Sequence, residues 1–373
     1  MRPDTDPSTP PTIDDVAHAA GVSKSTVSRA LLGRGRVSEG TQAKVRQAAL
    51  RLGYVPNVMA AGLAHQTSTT IGLMLRDASN PAYGLLFTRL HQEARNAGLH
   101  LVSTTISSDP TDPGPEQITS LHWLVGLRVS GLIVSTGGVS SEELEPFHAR
   151  LPILRAGRPE SSSYLHAVSY DEVRAGTEIA ELVATAGHRA AAVLQSPAQL
   201  SYPEFVRADA MARALRARGV HVHEIPLGQQ NDDAVAHALD LVRSGEVTAV
   251  LCPNDLRQLE VMRTFSAAGL HAPEDYSVTG CDGVLPGIDL MGLSTYRIGV
   301  EKLAERTVAQ LQSLLQKRPA AQDPSAAPVG SDMQGHAAPG VAEAGQSVVR
   351  ELIPGTLVPG RTVGAPRRAS SKG

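Results

Sequence analysis

No uninterrupted apolar run in this sequence approaches the roughly 20 residues that a membrane-spanning helix needs, and the polar, proline-rich start MRPDTDPSTPP has no apolar h-region. The chain is therefore expected to be soluble and cytoplasmic, with no membrane partner. Cysteine is nearly absent. The two present, Cys252 and Cys281, each follow a strand-like run (TAVL and YSVTG), which reads as two small buried thiols rather than a redox pair. No CxxC, HExxH or spaced histidine cluster marks a metal site, so neither metal nor cofactor is expected. GxxxxGK[ST], GxSxG and a GxGxxG between strand and helix are missing too, and no catalytic residue is assigned. Aromatic residues make up only 3% of the chain, which leaves few side chains to stack on a ligand: Tyr83, Tyr202 and Phe205 are the candidates.

What is present is ample apolar material. A hydrophobic content of 42% in 373 residues supports at least two cores, and a charged fraction of 19% is not that of a disordered chain. The net charge of -3 is unevenly spread. Residues 1–65 hold eight basic residues (Arg2, Lys24, Arg29, Arg34, Arg36, Lys44, Arg46, Arg51) and five acidic ones (Asp4, Asp6, Asp14, Asp15, Glu39), a balance of +3 that leaves -6 for the remainder. A nucleic-acid footprint would belong at the N-terminus.

The pattern there agrees. In TIDDVAHAAGVSKSTVSRALL, Thr12 with Asp15 three residues on forms a capping box, and Ile13, Val16, Ala17 and Ala20 make one apolar stripe that Gly21 ends. Ser23 caps a second helix between staple residues Val22 and Val27, with Val27, Ala30 and Leu31 facing inward. Its other face carries Lys24, Ser25, Ser28 and Arg29. A helix with such an outer face fits a major groove, where its donors reach base edges and phosphates, although a plain helical hairpin would show the same pattern. Ser38 caps a third helix to about Leu52, with Val45, Ala48, Ala49 and Leu52 on one stripe and Gly53 and Pro56 closing it. Three helices make a minimal core.

From about Thr70 strands and helices alternate. IGLML, LHLVSTT, GLIVST and LPILRAG are separated by helical patterns near Tyr83 to Asn96 and Glu116 to Leu127 and by a shorter one, and a second series opens near Val168 with helices at Asp171 to Ala186, Pro203 to Arg218, Asp232 to Arg243 and Asp255 to Ala268. Two parallel sheets are predicted. Ligands of open parallel sheets bind beyond the carboxyl ends of the strands, which directs attention to RDASNPAY, CPND and GCDG.

The run from TIDDVAHAAGVSKSTVSRAL through VSEGTQAKVRQAALRLGYVPNVMAAGLA to TIGLMLRDASNPAY resembles the lac repressor (LacI/GalR) family of bacterial transcription regulators, with its motifs in order and at family spacing. The likeness continues more loosely through Asn254-Asp255, PEDYSVTGCDG and LSTYRIGVEKLAERTV. It implies an all-α helix-turn-helix headpiece followed by an α/β, two-lobed, periplasmic-binding-protein-like core of Rossmann-like parallel sheets, with the chain crossing between lobes more than once. Implied partners are double-stranded operator DNA, a second copy of the chain in a homodimer, and a small-molecule effector, with sugars the commonest class and nucleobases or nucleosides next. DNA contacts fall to Lys24, Ser25, Thr26, Ser28, Arg29, Asn57 and Leu63. Effector contacts fall to Asp77, Asn80, Tyr83, Arg207, Asn254 and Asp282. Arg207 matches the arginine of the family's R-x-x-G pattern, from which Ala210 departs. Each strand-end Asp or Asn has a plainer role open to it, as the cap of the next helix. A ligand-binding protein or hydrolase of the same two-lobed fold is the alternative, but it leaves the first sixty-odd residues unexplained.

Two segments stand apart. In the family resembled, the stretch equivalent to Asn57 to Ala64 forms a short hinge helix only on operator, and Leu63 occupies the position of a leucine inserted between base pairs. Fewer than about eight residues are marginal as a helix alone, and Gly62 adds roughly 1 kcal/mol against it. A plain tether is the alternative there. The stretch RPAAQDPSAAPVGSDMQGHAAPGVAEAGQ is poor in large apolar residues and reads as a disordered insertion. The expected organisation is a disordered 1–11, a helix-turn-helix domain 12–56, a hinge and linker 57–69, a two-lobed effector-binding and dimerisation domain 70–363 with an insertion at 318–346, and a disordered tail 364–373.

Overall fold

The computed structural model describes residues 10–32, 36–55, 69–76, 80–106, 115–148, 150–228, 232–317 and 348–367. Asn57, Leu63 and the rest of the expected hinge, Asp77, and the expected insertion lie outside them. The chain forms two compact units divided between Ser68 and Thr69.

In the first unit α1 (Ile13–Ala20), α2 (Lys24–Leu32) and α3 (Glu39–Leu52) enclose one small core. The capping box is formed: the Asp15 N–H donates to Thr12 Oγ1 at 3.3 Å and the Thr12 N–H donates to Asp15 Oδ2 at 2.9 Å. Gly21 ends α1 with φ 67°, a left-handed conformation that costs glycine least, and the Val22 N–H returns to the Ala17 carbonyl at 3.0 Å. That turn sets the direction of α2, which Ser23 caps through the Thr26 N–H at 3.2 Å. Val16, Ala17, Val27, Ala30, Val45, Ala48 and Ala49 are buried together. Leu52, expected on the same stripe, is instead 39% exposed as the last residue of α3.

The second unit has two parallel sheets. β1 (Thr70–Arg76), β2 (His100–Ile106), β3 (Leu132–Ser135), β4 (Ile153–Ala156), β5 (His166–Tyr170) and β11 (Arg350–Ile353) form the first, in the order β11-β5-β4-β3-β1-β2. β6 (Ala190–Gln195), β7 (His221–Pro226), β8 (Ala249–Leu251) and β9 (Ser277–Thr279) form the second, in the order β7-β6-β8-β9. A short antiparallel pair, β10 (Thr295–Arg297) with β12 (Thr356–Val358), completes the described strands. Strands such as Thr70–Leu75 and Ile153–Ala156 are buried residue after residue, as a parallel sheet covered on both faces requires.

Helices cover those faces. In the first lobe they are α4 (Pro81–Asn96), α5 (Pro115–Gly126), α6 (Ser141–His148) and the later α12 (Val300–Lys317), which packs on α4, β4 and β5; in the second they are α7 (Glu172–Thr185), α8 (Tyr202–Ala217), α9 (Asp232–Ser244) and α10 (Asp255–Ala267). A single turn of helix, α11 (Ile288–Met291), lies between β9 and β10. Among the described residues the chain passes between the lobes after β5, before α12, and between β11 and β12.

Two expectations change. The strand at Val168 belongs to the first sheet, between β4 and β11, so the second series of elements begins with α7. Residues 364–367, placed in a disordered tail by their composition, are tied to the second lobe. The Gly364 N–H donates to Ser277 Oγ at 3.0 Å, the Gly364 carbonyl lies 3.0 Å from His188 Nε2, and Arg367 Nη1 is 2.9 Å from Asp275 Oδ1.

Candidate nucleic-acid interface and ligand cleft

The outer face of α2 is polar and largely open. Lys24, Ser25 and Arg29 are exposed, while Thr26 and Ser28 are half-buried. The exposed Lys24 Nζ reaches Asp14 Oδ2 at 2.9 Å, and Arg29 Nε donates to the Ser25 carbonyl at 3.2 Å. Ser23 Oγ lies 2.8 Å from Thr26 Oγ1 and 2.9 Å from Ser25 Oγ, so both hydroxyls have a partner in the cap. Two cations and two serines thus lie on the outer part of α2, and such side chains can donate to base edges or phosphates.

The second unit holds a partly open cavity of about 460 Å³, its mouth included, between the two lobes. The first lobe supplies Asn80, Tyr83, Ser135, Gly157 and Tyr170, all at or just past strand ends; the second supplies Glu172, Ser201, Glu204, Arg207 and Asp282. Four of the six effector residues expected from sequence, Asn80, Tyr83, Arg207 and Asp282, therefore meet here. Asn80 also caps α4, accepting from the Ala82 N–H at 2.9 Å. Asn254 is not in the lining: its Oδ1 caps α10 through the Arg257 N–H at 2.8 Å and its Nδ2 donates to Glu204 Oε1 at 2.9 Å.

Arg207 is the central cation and is buried. Its Nε donates to Glu172 Oε2 at 2.7 Å, its Nη1 to the Pro253 carbonyl, and Nη1 stands 3.9 Å from Asp282 Oδ1. Gly176 on α7 makes this possible, because a β-carbon there would overlap the Arg207 carbonyl oxygen and come within 2.9 Å of the Ala210 β-carbon. Ala210 is thus a small residue facing a glycine at the crossing of α7 and α8.

Asp282 has φ 105°, a conformation non-glycine residues seldom adopt. It is held from both sides, its N–H donating to the Tyr296 carbonyl at 3.0 Å and its own carbonyl accepting from the Ile298 N–H at 3.1 Å. Backbone strain kept by such over-determination is a mark of functional positions. Beneath it, Asp255 accepts from the Gly283 N–H at 2.7 Å and from Thr295 Oγ1 at 2.5 Å, which fixes the loop.

Burial pushes the Asp282 carboxyl well above the carboxylate range, against the pull of Arg207, and neighbouring Asp255, Glu204 and Glu172 add to the rise. Burial likewise raises Glu172 despite Arg207, and raises Asp255 to about 6 against its two hydrogen bonds. The Tyr83 and Tyr170 phenols are raised by burial too, so both remain protonated donors.

The lobes also touch near the cavity. The Arg158 guanidinium lies 5.0 Å from the Tyr202 ring centroid, and Gly137 brings its backbone against Leu200 and Ser201. In the first lobe Arg155, fully buried, donates through Nε to Glu160 Oε2 at 2.7 Å and through Nη2 to the Val139 carbonyl at 2.6 Å. Glu160 also accepts from Ser141 Oγ and from the Ser161 and Ser162 N–H groups.

Comparison with known proteins gives these features a setting. Residues 12–57 match the lacI family of bacterial regulatory proteins, and residues 180–330 match the periplasmic binding protein-like domain. The chain is 28% identical to catabolite control protein A of Priestia megaterium over 276 residues, or 73% of this chain and 82% of that protein. It is also 28% identical to the sucrose operon repressor of Pediococcus pentosaceus over 275 residues, with the same two coverages of 73% and 82%. The solved lac repressor dimer bound to operator and the anti-inducer ONPF shares the fold at a TM-score of 0.74 and 23% identity, over 96% of this chain and 100% of that one. A helix-turn-helix domain of the lacI family of bacterial regulatory proteins is thus followed in sequence by a two-lobed periplasmic-binding-protein-like core, the make-up of a DNA-binding transcriptional regulator.

Proposed function

We propose that this regulator is a repressor that binds a two-fold related operator as a homodimer, and that a small polar metabolite in the interlobe cavity sets its affinity for DNA. The observation that carries the reading is the cavity itself, where Arg207 and Asp282 converge from different elements below a loop strained at Asp282. One recognition helix per chain reads one half-site, so specific binding calls for two copies. Lys24, Ser25, Ser28 and Arg29 form the reading face, with Thr26 behind them. Asn80, Tyr83, Arg207 and Asp282 hold the effector. A sugar or sugar derivative is the class favoured, since the cavity sets hydrogen-bonding groups such as Asn80, Ser135, Arg207 and Asp282 beside apolar and aromatic surface, and a similar protein is named a sucrose operon repressor.

An effector can shift DNA affinity only by binding one state of the protein better than the other. Footprinting on the regulator's own upstream DNA, repeated with a panel of sugars and nucleosides, tests the whole reading. The expected result is a symmetric protected site whose affinity changes by about fivefold or more with one compound. Protection of a single asymmetric half-site by a monomer overturns the dimer, and a response to nucleosides alone overturns the sugar.

A further inference from the structure

The cavity is short of positive charge. It is lined by three carboxylates, Glu172, Glu204 and Asp282, and by one guanidinium, Arg207. That guanidinium is already engaged by Glu172 Oε2 and the Pro253 carbonyl. The Glu204 oxygens have partners as well, accepting from Ser196 Oγ at 2.5 Å and from Asn254 Nδ2 at 2.9 Å.

Two acceptors are left over. Glu172 is 2% exposed, and its second oxygen, Oε1, is enclosed with no hydrogen-bond partner among the described residues. The Asp282 carboxylate has its cationic neighbour, Arg207 Nη1, only at 3.9 Å. A buried acceptor without a donor is costly, and native proteins seldom keep one that nothing will ever satisfy.

We propose that the occupant of this cleft carries a protonated amine, which donates to Glu172 Oε1 and pairs with Asp282, on a small hydroxylated body such as that of an amino sugar. The inference rests on the reading of the cavity as an effector site and specifies its ligand. An ammonium group supplies three donors and a charge opposite to the excess, and charge-assisted hydrogen bonds are the stronger kind. A phosphate or carboxylate would meet three like charges against one guanidinium, whose Nε and Nη1 already donate to Glu172 and the Pro253 carbonyl. A neutral sugar offers donors but leaves the charge uncompensated. Burial raises Asp282 and Glu172 despite Arg207, and the carboxylates around each add to the rise.

The test uses the full-length protein and matched probes: glucosamine, glucose and glucuronate, then galactosamine, galactose and galacturonate, with ethanolamine, ethylene glycol and glycolate as a minimal set. Binding is followed by saturation-transfer NMR and calorimetry. The amine of at least one set is expected to bind about 10- to 100-fold tighter than its neutral partner, with the acid weakest. Glu172→Gln and Asp282→Asn, both nearly isosteric, should each lower the amine's affinity by about tenfold or more and narrow its lead over the neutral probe. If Glu172→Gln fails to fold, Asp282→Asn alone carries the test, because that side chain anchors no helix pair.

A neutral or acidic probe binding as well as its amine overturns the proposal, as does the absence of binding by every amine, or an amine preference that survives both substitutions. The underlying reading fails separately. A neutral sugar that releases operator DNA would overturn the amine and leave the effector site standing, whereas an amine that binds without altering DNA affinity would uphold the amine and overturn the effector role.

Discussion

Glu172 on α7 and Arg207 on α8 are joined at 2.7 Å inside the second lobe, and they can meet only because the two helices cross at Gly176. The first prediction follows from that crossing. Alanine at 176 would gain roughly 1 kcal/mol of helix propensity, but its methyl would overlap the Arg207 carbonyl oxygen, a backbone atom with no rotamer to escape into. Overpacking of this kind costs about 1–3 kcal/mol, so the clash wins. Gly176→Ala should lower the urea midpoint and weaken effector binding together, since it displaces both partners of the pair. An unchanged midpoint would mean that the helices slide apart freely.

Arg207 and Asp282 should separate when each is changed alone. Arg207→Ala strands the buried Glu172 and is expected to cost about 3–5 kcal/mol, so a lost effector response in that variant says little about contact. Asp282→Asn is the sharper probe. Its native carboxyl is raised well above the usual range by burial, so at neutral pH ionisation opposes folding of the empty protein, and asparagine removes that opposition. Asparagine also tolerates positive φ about as well as aspartate. The variant should therefore melt no lower than the parent, and higher if the loop holds, while its operator affinity no longer responds to effector. Calorimetric melting beside an operator titration checks both halves.

How much of this was legible in the chain depended on whether the deciding contact was local. Thr12 with Asp15, Gly21, Ser23, Ser38 and Gly53 act within a turn of helix, and the strand and helix alternation is likewise written in neighbouring residues, so the helices of both units could be read directly. Sheet membership could not. β5 joins the first sheet because β11, some 180 residues on, pairs with it at Arg350↔Ala167. Within the cleft, Asp282 and Arg207 were visible as strand-end or motif residues. Glu172 was not, because an acid in the first turn of a helix ordinarily just complements the helix dipole; only the fold brings Arg207 to it. Asn254 shows the opposite case, a strand-end residue whose oxygen caps α10 and whose amide donates to Glu204 rather than lining the cavity.

Stability should depend on pH in two opposite ways. Asp255 is raised from 3.8 to about 6, chiefly by burial, so its contribution is fully present below 3.8 and is lost as pH rises through about 6. A rise of that size is worth about 3 kcal/mol at most. Glu160 goes the other way: burial works to raise it, but the Ser162 N–H, Ser141 and Arg155 hold it at about 2, so its contribution is present above 4.5 and is lost as pH falls through 2. Asp255→Asn loses an acceptor and should be less stable overall, yet its unfolding free energy should fall less steeply between 3.8 and 6 than the parent's. Glu160→Gln should keep that fall and flatten the acid limb. Denaturant titrations across this range read the slopes, and an unaltered slope in Asp255→Asn would assign it to the other raised carboxyls, Glu172 and Asp282.

The last prediction concerns the reading helix. Lys24 and Asp14 are paired at 2.9 Å with side chains 62% and 65% exposed, and an ion pair so open to water holds its members only weakly. Lys24 is therefore free to turn toward a base edge when DNA arrives. It lies in the first turn of α2, where the recognition helix of a helix-turn-helix makes its base contacts. Arg29 lies one turn further along, its Nε held by the Ser25 carbonyl, with the rest of the guanidinium able to reach a phosphate. Lys24→Ala should relax sequence preference at one position per half-site by roughly 1–3 kcal/mol. Arg29→Ala should instead weaken binding evenly across sequences and reduce the salt dependence, by a slope of roughly 0.9 for each phosphate no longer neutralised. Asp14→Asn removes both a competing partner for Lys24 and a negative charge near DNA, so it should tighten binding without changing which base is preferred. Site selection from a randomised half-site, followed by titrations over a salt series, measures all three. If Lys24→Ala kept the parental sequence preference and lost only salt dependence, Lys24 would be a phosphate contact, and base reading would pass to Ser25, Ser28 and Arg29.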